Sequence, residues 1–465
     1  MLTYSFHDLG GDSLYEHLYK CIKDDILNGT LTAGTKLPSK RSFAGNLGVS
    51  TITVENAYAQ LLSEGYLYSI PKKGYYVSDF SSNLSRENVF SSDDVIVHSD
   101  NTSYYADFSS NQTRPKNFPF SIWAKLMRET LYEKNTDLMM KPPCGGIMGL
   151  RKAIAGHLQQ FRGIHVQPEQ IFVGAGTEYL YGLLIQLLGF DKTYAVENPG
   201  YEKIAQIYNS YHVKCHLVDM DEQGILVDQL EESQADVVHI SPSHHFPTGI
   251  ITPISRRYEL LSWAAKSDSR YIIEDDYDSE FRLTGKPIPA LQSIDIMEKV
   301  IYINTFSKSL TSTMRISYMV LPPSLANRFL EQMSFYSCTV SNFEQFALMR
   351  FIEEGYFEKH INRMRNYYHK QRDILLDTIK KSPLSSLVTI TEEDSGLHFL
   401  VKVKTDIPDE VIIRRALEKQ IKITCLSQYY KNPPTSVEHI FIMNYSYVEP
   451  EHIEKAIEGL YQCLE

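Results

Sequence analysis

The chain has 465 residues, of which 43% are hydrophobic and 22% are charged, and its formal net charge is -11. This length allows roughly two to four domains with a sizeable core. The acidic balance excludes broad attraction of the whole chain to nucleic acid or to anionic membranes, although it is compatible with a local basic patch.

The six cysteines are scattered, and none forms a CxxC pair. This usage is typical of a reducing cytosol and argues against a disulfide framework or a zinc site, so we expect a cytoplasmic protein without a metal. The first residues lack a basic segment followed by an apolar core, so we expect no signal peptide. Glu178 and Gln186 interrupt the most apolar long window, which favours a buried helix over a membrane span.

Residues 1–80 have the pattern of a small helical domain with a hairpin. Apolar residues at helical spacing predict a first helix that ends at Asn28 and Gly29. "PSKRSFAGNLG" predicts a short helix ending near Gly48, and Ser50 is a good N-cap for a further helix. "YLYSI" and "GYYV" predict two strands joined by a turn at 71–74. This order predicts a winged helix-turn-helix whose last helix enters the DNA major groove.

Residues 36–74 hold five cations and two carboxylates, and the cations lie at the two ends of the motif. Phosphates would lie there in a DNA complex, whereas a solvated surface is the alternative interpretation. The segments LPSKR, LGVS, "TVENAYAQLLSEG" and the glycine-bearing hairpin resemble the GntR family of bacterial DNA-binding domains. The resemblance implies contacts to a double-stranded operator from Ser39, Lys40, Arg41, Ser50, Thr51, Thr53, Lys72, Lys73 and Gly74.

The chain departs from the GntR pattern at two positions of the predicted recognition helix. Thr51 and Glu55 stand where such domains often carry arginine. We therefore expect less guanine recognition by bidentate arginine. After this domain, residues 81–105 are rich in serine and asparagine and have no sustained period, so they predict a flexible linker.

Residues 106–465 alternate strand-like and helix-like runs, which predicts an α/β fold with a mainly parallel sheet and helices on both faces. Ligands bind such sheets at the carboxyl ends of the strands. Polar residues follow several predicted strands there, in "QIFVGAGTE", "YIIEDDY" and "VIYINTFSK".

These residue types meet the requirements of pyridoxal 5'-phosphate (PLP). Lys308, placed where a strand ends and a loop begins, can form an imine with the cofactor's aldehyde, and burial would favour its neutral, nucleophilic form. Strand alternation puts Asp275 and Tyr277 on one face, so we assign Asp275 to the pyridine nitrogen and Tyr277 to the ring oxygen. Asp276 would then point away, into a structural hydrogen bond.

The remaining predicted contacts hold the phosphate and the ring. A helix beginning directly after a strand offers free N–H groups to a phosphate. The predicted phosphate residues are Gly176, Thr177, Glu178, Thr305, Ser307 and Arg315, and Tyr201 is predicted to stack on the ring. Each of these residues alone has an ordinary structural explanation; their joint order along the chain is the specific signal.

That order resembles the fold type I aminotransferases. More narrowly, "SPSHHFPTG", "IIEDDYDSEFR", "GKPIPALQSID" and "IYINTFSKSL" resemble the MocR/GabR family, in which a GntR-type domain is fused to an aminotransferase-like body. The resemblance implies a winged helix-turn-helix in 1–80, a PLP-binding fold type I body in 106–465, and a head-to-tail homodimer.

Two functions remain open. The first is a transcriptional regulator that senses PLP or an amine, and the second is an active aminotransferase with a DNA-binding domain. The segment "HIFIMNYSYV" lacks the arginine with which aminotransferases usually bind the substrate carboxylate, which favours the regulator. Lys203, His244 and His245 are the predicted effector contacts, and control of vitamin B6 synthesis would fit them.

Overall fold

The computed structural model describes residues 2–6, 9, 11–79, 103–110, 112–282, 289–392 and 396–465. The chain folds into two compact units, Met1–Asn101 and Thr102–Glu465, which we call the head and the body. The predicted linker, 81–105, lies outside the described residues except for its last three positions.

The head is a three-helix unit with a two-stranded wing, as the sequence predicted. Its elements are α1 (Leu14–Leu27), α2 (Lys40–Leu47), α3 (Thr51–Ser63), β1 (Leu67–Ile70) and β2 (Gly74–Val77). The wing strands pair antiparallel, with Leu67 opposite Val77 and Ile70 opposite Gly74.

Local signals set the ends of the head helices. The Ser39 and Ser50 hydroxyls accept hydrogen bonds from the Ser42 and Thr53 N–H groups and so cap α2 and α3. Gly48 ends α2 with a φ of 69°, a left-handed conformation that favours glycine. One apolar cluster, built from all three helices and both strands, then fixes how these elements pack.

The body is built on an eight-stranded sheet. From one edge to the other its strands are β4 (Ile171–Gly174), β11 (Ser317–Val320), β10 (Val300–Thr305), β9 (Tyr271–Asp275), β8 (Val237–Ile240), β5 (Thr193–Asn198), β6 (Lys214–Asp221) and β7 (Gly224–Ile225). The pairs from β10 to β6 are all parallel, whereas β11 is antiparallel to both neighbours and β7 is antiparallel to β6. The predicted mainly parallel sheet is confirmed.

Helices cover both faces of this sheet, and nearly all side chains of its central strands are therefore buried. Ile272 packs in a cluster with Trp263, while its neighbour Ile273 packs in another with Leu184. The body helices are α4 (Phe120–Glu133), α5 (Asn135–Leu138), α6 (Met148–Arg162), α7 (Thr177–Leu188), α8 (Glu202–Ser210), α9 (Val227–Glu232), α10 (Ile254–Ala265), α11 (Phe306–Ser309), α12 (Pro323–Met333), α13 (Asn342–Glu353), α14 (Tyr356–Lys381), α15 (Asp409–Glu418) and α16 (Pro450–Gln462).

A second, smaller sheet forms from the C-terminal part of the body. It is antiparallel and consists, in order, of β12 (Val388–Thr391), β13 (His398–Val403), β16 (Ile440–Asn444) and β15 (Thr424–Cys425). A short parallel pair joins β3 (Ala106–Asp107) to β14 (Ile421–Lys422). Among the described residues, no helix is both long and apolar enough to cross a membrane.

The head core supports a direct stability test. Leu61 is fully buried in the head cluster, whereas Ile52 on the same helix is 68% exposed. We expect Leu61→Ala to destabilise the head by about 2–5 kcal/mol, because it removes buried methyl groups and leaves a cavity. Ile52→Ala should change stability by less than about 0.5 kcal/mol, as surface substitutions usually do. Calorimetric unfolding of the full chain would measure both, and equal effects would contradict the assignment of Leu61 to the core.

Candidate cofactor site and nucleic-acid interface

Lys308 lies just past the carboxyl end of β10. The structure corrects one detail of the prediction, because Lys308 belongs to the one-turn helix α11 rather than to a loop. Its side chain is half-buried, and its backbone carbonyl accepts a hydrogen bond from the Thr113 hydroxyl at 3.3 Å. Desolvation lowers the pKa of Lys308 to about 8, against an opposing attraction from Asp278. A large neutral fraction of the amine near pH 8 suits a nucleophile.

Asp275 and Asp276, at the end of β9, point to different partners. Asp276 accepts a hydrogen bond from the Tyr302 hydroxyl at 2.6 Å and pairs with Arg162 at 2.8 Å. Asp275 instead accepts from the Tyr181 hydroxyl, and His239 Nε2 lies 3.5 Å from the same carboxylate oxygen. Because successive side chains of a strand point to opposite faces, Asp276 forms a buried ion pair on one face, and Asp275 faces Tyr181 and His239 on the other.

The other carboxylate oxygen of Asp275, Oδ1, is the clearest indication that this site holds a ligand. Asp275 is only 7% exposed, and its Oδ1 accepts no hydrogen bond from any described residue. Leaving a buried acceptor unsatisfied costs about 1–3 kcal/mol. A protonated pyridine nitrogen would satisfy this oxygen, so the residues present fit the ring of PLP.

Tyr277 belongs to a small buried network with His244 and Asp278. The Tyr277 hydroxyl lies 3.3 Å from His244 Nδ1, and the same nitrogen lies 2.8 Å from Asp278 Oδ2. Burial and nearby carboxylates hold the pKa of Tyr277 well above its usual range, so the hydroxyl stays protonated and can donate to a ring oxygen. Asp278 overcomes the effect of burial on His244 and raises its pKa.

Among the predicted phosphate residues, Glu178 and Gly176 both lie close to Arg315. The Glu178 carboxylate accepts hydrogen bonds from Arg315 Nη2 at 2.9 Å and from Lys203 Nζ. Gly176 precedes α7 with a φ of +94°, and a Cβ there would lie 2.4 Å from Arg315 Nη2. Glycine therefore lets the guanidinium lie close to the backbone at the first turn of α7, which Thr177 begins. Lys203, predicted as an effector contact, is the second cation paired with Glu178.

Thr305 and Ser307 form part of the turn that carries Lys308. The Thr305 hydroxyl caps α11, accepting from the Ser307 N–H at 3.2 Å and from the Ser317 hydroxyl at 2.8 Å. It also donates to Ser307 Oγ at 2.9 Å. These bonds give Thr305 a structural role in the turn, and Ser307 is the more exposed of the two residues.

Tyr201 and the second histidine differ strongly in exposure. Tyr201 is 53% exposed and makes an edge contact with Phe246, so one face of its ring is open to a stacking partner. His245 is buried, and its Nδ1 lies 2.7 Å from the Thr248 hydroxyl. Burial lowers the pKa of His245 to about 3, so it is neutral and serves the packing of its loop.

Sequence reasoning missed three residues of this site. Tyr181 contacts Asp275, and Asp278 contacts His244. Glu197 lies 3.5 Å from His245 Nε2. Desolvation raises the pKa of the buried Glu197 to about 8. Tyr181 follows Thr177 by four positions, one helical turn, and this spacing was the available signal.

The head presents its predicted DNA contacts in two groups. Thr51 begins α3 and is exposed, while the Thr53 hydroxyl is 2.8 Å from that of the cap Ser50. The wing tip carries exposed Lys72, with a φ of 62°, and exposed Lys73, followed by Gly74 with a φ of +120°. Positive φ values shape a tight turn that presents both lysines to solvent.

Lys40 and Arg41 differ although they are neighbours. Lys40 Nζ donates to Glu55 on α3 at 2.6 Å, whereas Arg41 is exposed on α2. Lys40 therefore neutralises the carboxylate of the predicted recognition helix. Sequence analysis did not single out Ile52, whose exposed side chain on the first turn of α3 is of the kind that contacts thymine methyl groups.

Comparison with known proteins agrees with both units. Residues 14–77 match the family of bacterial regulatory proteins called gntR, and residues 105–458 match aminotransferase class I and II. The uncharacterized HTH-type transcriptional regulator YdeL of Bacillus subtilis is 38% identical over 91% of each chain. The probable rhizopine catabolism regulatory protein MocR of Rhizobium meliloti is 30% identical over 96% of this chain and 93% of its own.

The chain belongs to the MocR-type transcriptional regulators. A further relative of this MocR-type regulator is the pyridoxine biosynthesis regulator PdxR of Corynebacterium glutamicum, 30% identical over 90% of this chain and 89% of its own. Among solved structures, a Pyrococcus horikoshii kynurenine aminotransferase has a TM-score of 0.67 at 26% identity, covering 78% of this chain and 91% of its own. The predicted head-and-body organisation and the fold type I body are confirmed.

Two aspartates of this MocR-type regulator that pair with arginines, one buried and one exposed, should differ in their effect on stability. Asp276→Ala leaves the buried Arg162 without its carboxylate, and we expect a loss of about 3–5 kcal/mol. Asp221→Ala, which removes a 41% exposed partner of Arg256, should cost about 0–1 kcal/mol. Urea denaturation of the full-length protein would measure both, and equal losses would refute the structural role of Asp276.

The head makes a second prediction. Arg41→Ala should weaken binding to all DNA sequences and reduce the slope of log affinity against log salt by about one, because one phosphate contact is lost. Lys20→Ala is the matched control, since it removes one cation from α1 outside the predicted interface. Binding measured over a series of salt concentrations would contradict the contact if both variants kept the parent slope.

Proposed function

We propose that this MocR-type regulator binds PLP covalently through Lys308 and controls transcription according to the state of that cofactor. The observation that carries the proposal is the unsatisfied Asp275 Oδ1 in the same site as a lysine amine of lowered pKa. The pyridine nitrogen of PLP requires a carboxylate acceptor, and its aldehyde requires a nucleophilic amine.

Each residue has a defined part in holding the group. Asp275 accepts from the ring nitrogen, Tyr277 donates to the ring oxygen, and the open face of Tyr201 stacks on the ring. Arg315, Ser307 and the first turn of α7 hold the phosphate. When bound, PLP supplies an electrophilic carbon that reacts with amines.

We propose a small amine, or PLP itself, as the effector. The segment "HIFIMNYSYV", which contains β16 and the residues after it, has no arginine, and Lys203 is engaged by Glu178. A carboxylate effector would therefore lack the bidentate partner that α-amino acids usually find. Control of vitamin B6 synthesis fits the lack of an arginine for a carboxylate. The relative PdxR is named as a regulator of pyridoxine biosynthesis, which agrees with this proposal.

The proposed active form is a head-to-tail homodimer on an operator with two half-sites. Helix-turn-helix dimers read half-sites one DNA turn, about 34 Å, or multiples of it apart. A change in the body that favours one arrangement of the two heads changes affinity for the operator, provided that the effector binds the two arrangements with different affinity.

A second candidate function is slow transamination. The complete set of Lys308, Asp275 and Tyr277, together with the match to aminotransferase class I and II, favours it. Mass spectrometry of the cofactor after incubation with candidate amines would detect conversion to the aminated form. Conversion of the cofactor, with release of the carbonyl product of the amine, would support this function, and an unchanged cofactor would exclude it for those amines.

The regulatory function can be tested with Lys308→Ala. Purified parent protein with added PLP should absorb visible light, and PLP should change its affinity for the DNA upstream of its own gene by about 5- to 150-fold. Lys308→Ala should lose both the band and the response, whereas the control Lys192→Ala, which removes a half-buried lysine paired with Asp236, should keep both. A band retained in Lys308→Ala would refute the covalent role of the lysine, and a parent whose DNA affinity ignores PLP and amines would refute the regulation.

A further inference from the structure

The phosphate end of the candidate site already contains an anion of the protein itself. Glu178 accepts hydrogen bonds from both Arg315 and Lys203, so the two cations nearest to the start of α7 are paired with one carboxylate. Those hydrogen bonds, to Lys203 first and then to Arg315, lower the pKa of Glu178, which is therefore ionised at neutral pH. A phosphate that binds here meets a charged competitor.

The geometry ties this carboxylate to the phosphate position. Glu178 is the second residue of α7, directly after Thr177 and the glycine over which the Arg315 guanidinium lies. The free N–H groups of this first turn and the guanidinium are the donors that a phosphate would use. Glu178 uses the same guanidinium at 2.9 Å, so carboxylate and phosphate cannot both bind it in the same way.

The charges can be counted. Arg315 and Lys203 contribute two positive charges, and Glu178 cancels one of them. The phosphate of PLP brings about -1.5 to -2 charges at neutral pH. Binding therefore either displaces Glu178 from its cations or places two anions on the same pair. All three side chains are more than a third exposed, so water and salt screen this competition, and its effect is moderate.

We propose that Glu178 competes with the cofactor phosphate for Arg315 and Lys203 and thereby keeps cofactor binding reversible. This inference rests on the proposed binding of PLP. Occupancy responds to concentration only when the dissociation constant is near the working concentration. A sensor of the cofactor needs that property, whereas an enzyme that must stay loaded does not.

The test compares PLP with pyridoxal, which has the same ring and aldehyde but no phosphate. Both would be titrated by absorbance into the full-length protein after removal of any bound cofactor. Glu178→Gln keeps the size of the side chain and removes its charge, and we expect it to bind PLP about tenfold more tightly while pyridoxal changes less than twofold. Glu451→Gln, in the first turn of α16, is the matched control and should change neither.

Salt dependence provides a second measurement. The advantage of Glu178→Gln should shrink as ionic strength rises, because the competition is between exposed charges. Equal PLP affinity in Glu178→Gln and parent, weaker affinity in the variant, or an equal gain for pyridoxal would each overturn the role of Glu178. Failure of every variant to bind PLP would overturn the proposed function, and the present inference with it.

Discussion

The parallel pairing of β9 with β10 is the constraint on which the body depends. It places Ile303 of β10 beside Asp275, so that the chain leaves both strands at the same edge of the sheet. The polar residues that follow the two strands therefore gather there, and Lys308 comes within the electrostatic reach of Asp278. A loop could not fix these side chains as firmly, because buried parallel strands are held by hydrogen bonds on both sides.

The same constraint explains why two adjacent aspartates have different environments. A strand turns successive side chains to opposite faces, so Asp276 meets Arg162 and Tyr302 while Asp275 meets Tyr181. The buried pair of Asp276 and Arg162 contributes little net stability relative to apolar packing, yet losing either partner is costly. Asp275 keeps one unsatisfied oxygen, and this local cost is what a bound ring would offset.

In the head and in the body alike, a carboxylate pairs with cations of a predicted phosphate-binding surface. In the head, Lys40 neutralises Glu55, which leaves Arg41 and the wing lysines as the exposed cations that were predicted to contact phosphates. In the body, Glu178 neutralises part of the cluster of Arg315 and Lys203. The protein's own carboxylates thus cancel part of the positive charge at both predicted phosphate-binding surfaces.

The sequence by itself determined the elements and their order. Apolar periodicity predicted the head helices and body strands, Ser50 predicted where α3 begins, and strand alternation predicted that Asp275 and Asp276 face apart. These features are local, since each depends on residues a few positions apart. The same information predicted the candidate positions Lys308 and Arg315, because the joint order of the motifs along the chain is specific.

Only the tertiary structure decided which of these residues meet. Lys203 contacts Glu178, Thr305 caps the helix of Lys308, and His244 lies between Asp278 and Tyr277. Each contact joins side chains from separate elements or depends on how the chain turns after a strand. Periodicity and composition carry no information about such distances, because they depend on how the sheet twists and how its helices pack across it.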